Sequence, residues 1–128
     1  MKRELDPTSY NQSSPFEAIR RMNDVGNEYW SSRDLSMALG YADYRNFEQV
    51  LGKAKSASFN SGQRIEDHFG EVTEMIDIGK GGKRTVTTFY LSRYACYLII
   101  QNADPTKEIV ALGQTYLLCS ADSQAGTF

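Results

Sequence analysis

An apolar helix bracketed by two helix-start signals constrains this chain more than any other segment. Residues 94–100 are all apolar, Ser92 precedes them as a candidate N-cap, and Asp104-Pro105 opens a second predicted helix with Asp as the cap and Pro at the first position. A membrane span needs about 20 such residues, so this shorter stretch indicates a helix buried in a small core. The second helix is expected over about residues 105–118.

The length of 128 residues suits one domain with a self-sufficient core. The two cysteines, Cys96 and Cys119, form neither a C-x-x-C pair nor a disulfide framework, which favours a reducing, cytoplasmic setting. Residues 1–14 lack the apolar segment of a signal peptide or membrane anchor and are expected to form a flexible leader. The domain is expected over residues 15–118, followed by a disordered or truncated tail over residues 119–128.

Helix caps and helical spacing dominate the first half of the chain. Residues 28–30 are expected to be a short extended piece between helices. The predicted helices are a short one from Pro15 through Met22, one from Ser31 or Ser32 to Leu39 that stops at Gly40, and one over residues 44–58 capped by Asp43.

A β-hairpin is predicted in the second half. Residues 73–78 and 85–90 are rich in β-branched and aromatic side chains, and they flank the glycine-rich segment 79–84. Residues 65–72 are expected to contain a helical turn with Phe69 buried. The predicted fold class is therefore α+β, a mainly helical single domain with a helix-turn-helix-like pair and a β-hairpin.

Several segments together carry a resemblance to a known family. They are residues 15–19 (PFEAI), 29–35 (YWSSRDL), 39–41 (LGY), 44–47 (YRNF), 91–104 and 110–116 (VALGQTY). In combination they resemble the bacterial DNA-damage-inducible protein D family, which is related to the Bro-N domain of phage antirepressors. The resemblance covers roughly residues 15–117.

The resemblance implies a non-enzymatic regulatory protein of the DNA-damage (SOS) response or of prophage control. It also implies that family members continue into a basic segment and a longer helical region after this point. That continuation is absent from this sequence, so a function housed in it is not assumed.

The predicted helix after Gly40 is a candidate for contact with DNA. Its first turns carry Tyr44, Arg45, Asn46 and Gln49, with Lys53 further along. Arg, Asn and Gln can each bind base edges through two hydrogen bonds, and recognition helices use their N-terminal residues in this way. The alternative is an αα-hairpin whose polar side chains simply face water.

The predicted hairpin tip adds a second candidate contact through Lys80, Lys83 and Arg84. Glycines there would let the backbone approach a phosphate chain, although a glycine-rich charged tip also suits any solvated hairpin. No G-K-[ST] sequence follows the glycines, so a nucleotide-binding P-loop is not predicted. The aromatic residues are mostly expected in the core, with Tyr41 and Tyr44 as the best candidates for stacking on unpaired bases.

Charge is unevenly distributed although the net charge is only −2. Residues 79–93 hold four basic residues and no acid, whereas residues 60–77 hold five acids and one arginine. The basic segment favours single- or double-stranded DNA as partner. The acidic segment and the amphipathic helices keep open an interaction module for a recombination or repressor protein, or a homodimer.

Catalysis is not predicted. His68 is the sole histidine and has no partner at metal-ligand spacing, and no nucleophile motif is present. The acids of residues 66–77 have the spacing of an ordinary polar face. No enzyme activity, metal or cofactor is expected, and His68 is expected to be a capping or surface residue.

Overall fold

The computed structural model describes residues 14–104 and 107–119 of the chain. The predicted leader (except Ser14), Pro105 and most of the predicted tail lie outside these residues. The helices are α1 (Pro15–Ala18), α2 (Ser32–Ala38), α3 (Tyr44–Asn60), α4 (Ile65–His68), α5 (Arg93–Gln101) and α6 (Glu108–Cys119). The strands are β1 (Arg21–Met22), β2 (Glu28–Ser31), β3 (Phe69–Gly79) and β4 (Gly82–Leu91).

In the described part of the chain the strands form one four-stranded antiparallel sheet in the order β1-β2-β4-β3. Strand β2 joins the hairpin at its base, where Trp30 pairs with Leu91. The fold is α+β, but the prediction of a mainly helical domain was wrong. The sequence showed the hairpin without showing that the extended piece at residues 28–30 joins it.

The hairpin is longer than predicted, because β3 begins directly after α4. Ile65, Phe69 and Val72 have helical spacing, yet only residues 65–68 are helical, and Phe69 pairs with Leu91. The backbone hydrogen bonds that join the eleven-residue strand β3 to β4 outweigh this local pattern. The connecting turn consists of Lys80 and Gly81, which both have positive φ (52° and 77°), as a type I′ turn requires.

Side-chain caps begin four of the helices at the predicted places. The oxygens of Ser14, Ser31, Asp43 and Ser92 accept hydrogen bonds from backbone N–H groups of the first turns. Gly40 follows α2 with φ of +84°, which glycine adopts without strain. The first helix is shorter than predicted, because α1 ends at Ala18 and residues 21–22 form β1 instead.

Helix α5 lies at the centre of the core, as predicted. Ala95, Cys96, Ile99 and Ile100 are buried, and α5 packs against α3, α6 and β2. Burial raises the pKa of the Cys96 thiol far above its usual range, which disfavours the thiolate, the reactive form of cysteine. No helix among the described residues is long and apolar enough to cross a membrane.

A buried ion pair between Arg93 and Glu28 connects α5 to β2. Arg93 Nε lies 2.6 Å from Glu28 Oε2 and Nη2 lies 2.9 Å from Oε1, and the two side chains are 11% and 5% exposed. The guanidinium lies 5.2 Å from the ring centroids of both Trp30 and Tyr116. The Tyr116 hydroxyl in turn donates to Glu17 Oε1 at 2.7 Å, so α1 and α6 are tied to the same pair.

His68 was expected to be a capping or surface residue; it is buried, so the surface alternative was wrong. Its Nδ1 lies 2.7 Å from Ser92 Oγ, and its Nε2 lies 3.3 Å from Gln63 Oε1. Ser92 Oγ already accepts from Ala95 N, so the assignment that satisfies every group has the Ser92 hydroxyl donating to an unprotonated Nδ1. His68 therefore supports the cap of α5, and its burial lowers its pKa.

Removing one member of the buried ion pair should destabilise the protein strongly. We expect Glu28→Gln to lower the free energy of unfolding by roughly 3 kcal/mol, because it leaves the Arg93 charge buried and unpaired. Urea unfolding measures this change. The double variant Glu28→Leu, Arg93→Met should be less destabilised than Glu28→Gln, because it leaves no charge buried without a partner. If Glu28→Gln were as stable as the parent protein, a buried Arg93–Glu28 ion pair would be contradicted.

Stability should fall as the pH drops from 7 towards 5. A folded-state pKa of His68 below the ordinary value means that the unfolded chain binds the proton more readily, so acidification through about 6.5 favours unfolding. Chemical unfolding followed across this range measures the slope. His68→Asn removes the sole histidine and should flatten the profile between pH 7 and 5.5; an equally steep slope in that variant would assign the effect to other groups.

Candidate nucleic-acid interface

One face of α3 is buried and the opposite face is polar. Phe47, Leu51, Ala54 and Ser58 face the core. The 100° step of an α-helix places the exposed residues on the other side in one continuous stripe. Its members are Arg45, Asn46, Gln49, Gly52, Lys53, Ser56 and Asn60, all of them exposed. The exposed acid Glu48 borders the stripe and interacts electrostatically with Arg45.

Arg45 begins this stripe beside the helix cap. The Asp43 carboxylate accepts a hydrogen bond from Arg45 N at 2.9 Å and forms an ion pair with Arg45 Nη2 at 3.0 Å. The Arg45 side chain is nevertheless 85% exposed. Ion pairs this exposed are weak, so the guanidinium can exchange Asp43 for another anion.

Tyr44 is partly buried, unlike the other predicted contact residues of α3, which are exposed. Its hydroxyl lies 2.7 Å from Ser32 Oγ, and its ring lies 3.9 Å from the Arg33 guanidinium carbon. Burial raises the pKa of this hydroxyl. The side chain fixes the start of α3 against α2, whereas Arg45, Asn46, Gln49 and Lys53 face solvent.

The predicted tip residues occupy three different environments. Lys80 lies in the turn and is exposed. Lys83 lies in β4, where its Nζ is 2.6 Å from Asp77 Oδ1 on the facing strand. The Arg84 side chain is exposed opposite Ile76 and forms no hydrogen bond or ion pair within residues 14–104 and 107–119. Lys80 and Arg84 are thus the more available cations.

The stripe of α3 and the hairpin tip do not form one compact patch. Helix α3 meets the hairpin at its base, where Lys55 Nζ lies 3.8 Å from the ring centroid of Phe89. The tip at Gly82 is seven strand residues further on, roughly 23 Å away at about 3.3 Å per residue. The two predicted contact regions are therefore separate surfaces of the hairpin and the helix that packs at its base.

Arg33 was missed by the sequence analysis. Its Nη2 and Nε donate to Thr87 O at 2.9 and 3.3 Å, and its guanidinium also stacks on Tyr44. No local pattern shows this role, because Arg33 and Thr87 are 54 residues apart. Arg33 places one more cation between α3 and the hairpin.

Metal chemistry finds no support in the described residues. Within 14–104 and 107–119, no group of three or more His, Cys, Asp or Glu side chains could hold a metal ion. The acids of β3 are engaged separately, since Glu74 accepts from the Tyr90 hydroxyl and Asp77 pairs with Lys83.

Comparisons with known proteins point to one family. A family model described as Bro-N, the BRO family N-terminal domain, matches residues 18–117. DNA damage-inducible protein D of Escherichia coli (strain K12) is 52% identical over 102 residues, which are 80% of this chain and 37% of that protein. The chain thus spans little more than a third of the length of this relative. No solved structure matches the chain.

Gly52 in the α3 stripe should be replaceable without harm to the fold. A Cβ at this position would meet nothing within 4 Å, so Gly52→Ala should stabilise the protein by up to about 1 kcal/mol through helix propensity. Thermal or urea unfolding measures the change. Gly113→Ala is the matched control: its Cβ would lie 2.8 Å from Ile100 Cδ1 and 2.9 Å from Phe16 Cζ, so it should destabilise. A destabilised Gly52→Ala would show that the stripe is not open.

Proposed function

The chain belongs to the Bro-N family, and on that premise we propose that it is a non-enzymatic regulatory domain that contacts DNA in the DNA-damage response or in prophage control. The name of the similar E. coli protein supports the first setting. Action in the cytoplasm is part of the same proposal.

The polar stripe on α3, with Glu48 at its border, carries the proposal. Arg45, Asn46 and Gln49 have side chains that can bind base edges through paired hydrogen bonds, and Lys53 can neutralise a phosphate. Gly52 and Ser56 in the middle of the stripe are small residues, so a nucleic-acid backbone could approach the helix closely there. The fold itself requires none of these side chains, because the opposite face makes all the core contacts.

The hairpin supplies the second contact in this proposal. A two-stranded ribbon has the dimensions that a major groove admits, and this ribbon ends in Lys80 with Arg84 close behind. Roughly 23 Å between tip and base is less than the 34 Å of one DNA turn, so helix and tip can contact neighbouring parts of one duplex.

Weaker DNA binding is expected when either surface loses its cations. We expect Arg45→Ala, and separately the pair Lys83→Ala with Arg84→Ala, to lower the affinity several-fold, and the salt dependence of binding to become shallower. Fluorescence anisotropy with labelled single- and double-stranded DNA at about 50 and 200 mM salt measures both quantities.

Arg64→Ala is the matched control, because it removes an equally exposed cation outside both surfaces. Its affinity should change little. Salt-insensitive or absent binding by the parent protein would refute DNA contact, and equal losses in all three variants would show only a general effect of charge.

A second candidate is an interaction module that modulates a recombination or repressor protein without binding DNA. The acids Glu71 and Asp77 beside the exposed side chains of Met75 and Ile78 favour it, because they form a mixed acidic and apolar surface on β3. Charge reversal at Glu71 and Asp77 separates the two candidates. Only the protein-binding mode should weaken, whereas DNA affinity should stay equal or rise.

A further inference from the structure

The edge of β4 that faces away from β3 is covered in part by three contacts, which follow one another along the strand. At the base, Leu91 pairs with the backbone of β2 at Trp30. The next outward groups are covered by side chains, because Phe89 N donates to Ser32 Oγ at 3.0 Å and Thr87 O accepts from Arg33. The cover given by β2 and α2 thus ends at Thr87.

Beyond Thr87 the edge is open. Backbone groups of an antiparallel strand alternate in direction, so Thr85 and Lys83 point the same way as Phe89 and Thr87, away from β3. Within the described residues, no strand or side chain pairs with this edge at residues 83–85. The side chains of residues 83, 84, 85 and 87 are exposed. The N–H and C=O groups of Lys83 and Thr85, together with the Thr87 N–H, therefore face outward in strand geometry without a partner among the described residues.

Two cations that have no carboxylate partner among the described residues, Arg84 and Arg33, lie along this open edge. Arg84 has no ion-pair partner within residues 14–104 and 107–119, whereas the neighbouring Lys83 is paired with Asp77. Arg33 lies at the inner end of the edge and contacts a carbonyl and a ring but no carboxylate. The outer strand of the ribbon, β3, instead carries Glu71, Glu74 and Asp77. An acidic segment suits the β4 edge by charge.

We propose that residues 83–87 of β4 bind a short, extended, acidic peptide segment of a partner protein, which adds a strand to the sheet. Donors and acceptors alternate along this edge, and another peptide backbone satisfies both kinds of group. A phosphate chain has acceptors only and would leave the outward carbonyls unpaired. The open length of five residues, closed at one end by α2, fits a short extended segment better than the long edge strand of a second copy.

Thr85→Pro tests the backbone contact directly. The Thr85 N–H points away from β3, so proline removes a donor from the open edge while the β3–β4 ladder keeps its hydrogen bonds. Thr85→Ala is the matched control, because it changes the same side chain and retains the N–H. The probe is a labelled hexapeptide of alternating Asp and Val, compared with one of alternating Lys and Val.

Calorimetry or anisotropy with the full chain should show binding of the Asp-Val peptide and little binding of the Lys-Val peptide. Thr85→Pro should weaken binding roughly tenfold or more, as expected from lost hydrogen bonds, and Thr85→Ala should leave it nearly unchanged. Arg84→Gln tests the charge contribution without any backbone change, and it should weaken binding and its salt dependence.

Equal affinity in Thr85→Pro and Thr85→Ala would overturn the proposal, as would equal affinity for the two peptides or no binding of the Asp-Val peptide. If duplex DNA binding depends on the Thr85 N–H and peptide binding does not, the edge is a nucleic-acid surface and the proposal also fails. If circular dichroism shows that Thr85→Pro is unfolded, the proposal is tested by the affinity of Arg84→Gln and by the comparison of the Asp-Val and Lys-Val peptides. The outcome does not depend on whether the α3 stripe binds DNA.

Discussion

The buried pair of Arg93 and Glu28 sets the relative positions of most of the other elements. Taking two charges out of water is unfavourable unless the partners meet in good geometry with their hydrogen bonds made. Here two short N–H···O bonds and two flanking aromatic rings provide that geometry. These contacts hold β2, α5 and α6 together at one point. Helix α3 packs on α5, so the position of its polar stripe depends on the same pair.

Local signals in the sequence were sufficient for the helices but not for the sheet. The side chains of Ser31, Asp43 and Ser92 accept hydrogen bonds from backbone N–H groups no more than three residues away. Such caps can therefore be predicted from the local sequence. The pairing of Trp30 with Leu91 joins positions 61 residues apart, and no local preference encodes it. The same holds for β1, whose two residues fit the helical spacing that led to the prediction of a longer α1. His68 was misplaced because its partner Ser92 lies on another element.

The candidate site divides in the same way. A 3.6-residue period was enough to place Arg45, Asn46, Gln49 and Lys53 on one side of a helix, although Tyr44 turned out to be held by Ser32. The contribution of α2 to the hairpin could not be foreseen. Ser32 and Arg33 look like ordinary first-turn residues, and only the fold brings them to the backbone of Phe89 and Thr87.

The ribbon beyond Thr87 is attached to the domain without being part of its core. Met75 and Ile78 stay largely exposed, so separating the two strands near the turn uncovers little additional apolar surface. Opening there is a sub-global event whose free energy lies well below that of complete unfolding. Amide protons near the turn should therefore exchange with solvent through local fraying, whereas those of residues 89–91 should exchange only when the whole domain unfolds. The hairpin thus combines a stable base with a distal end whose two strands can separate or change shape while the rest of the domain stays folded.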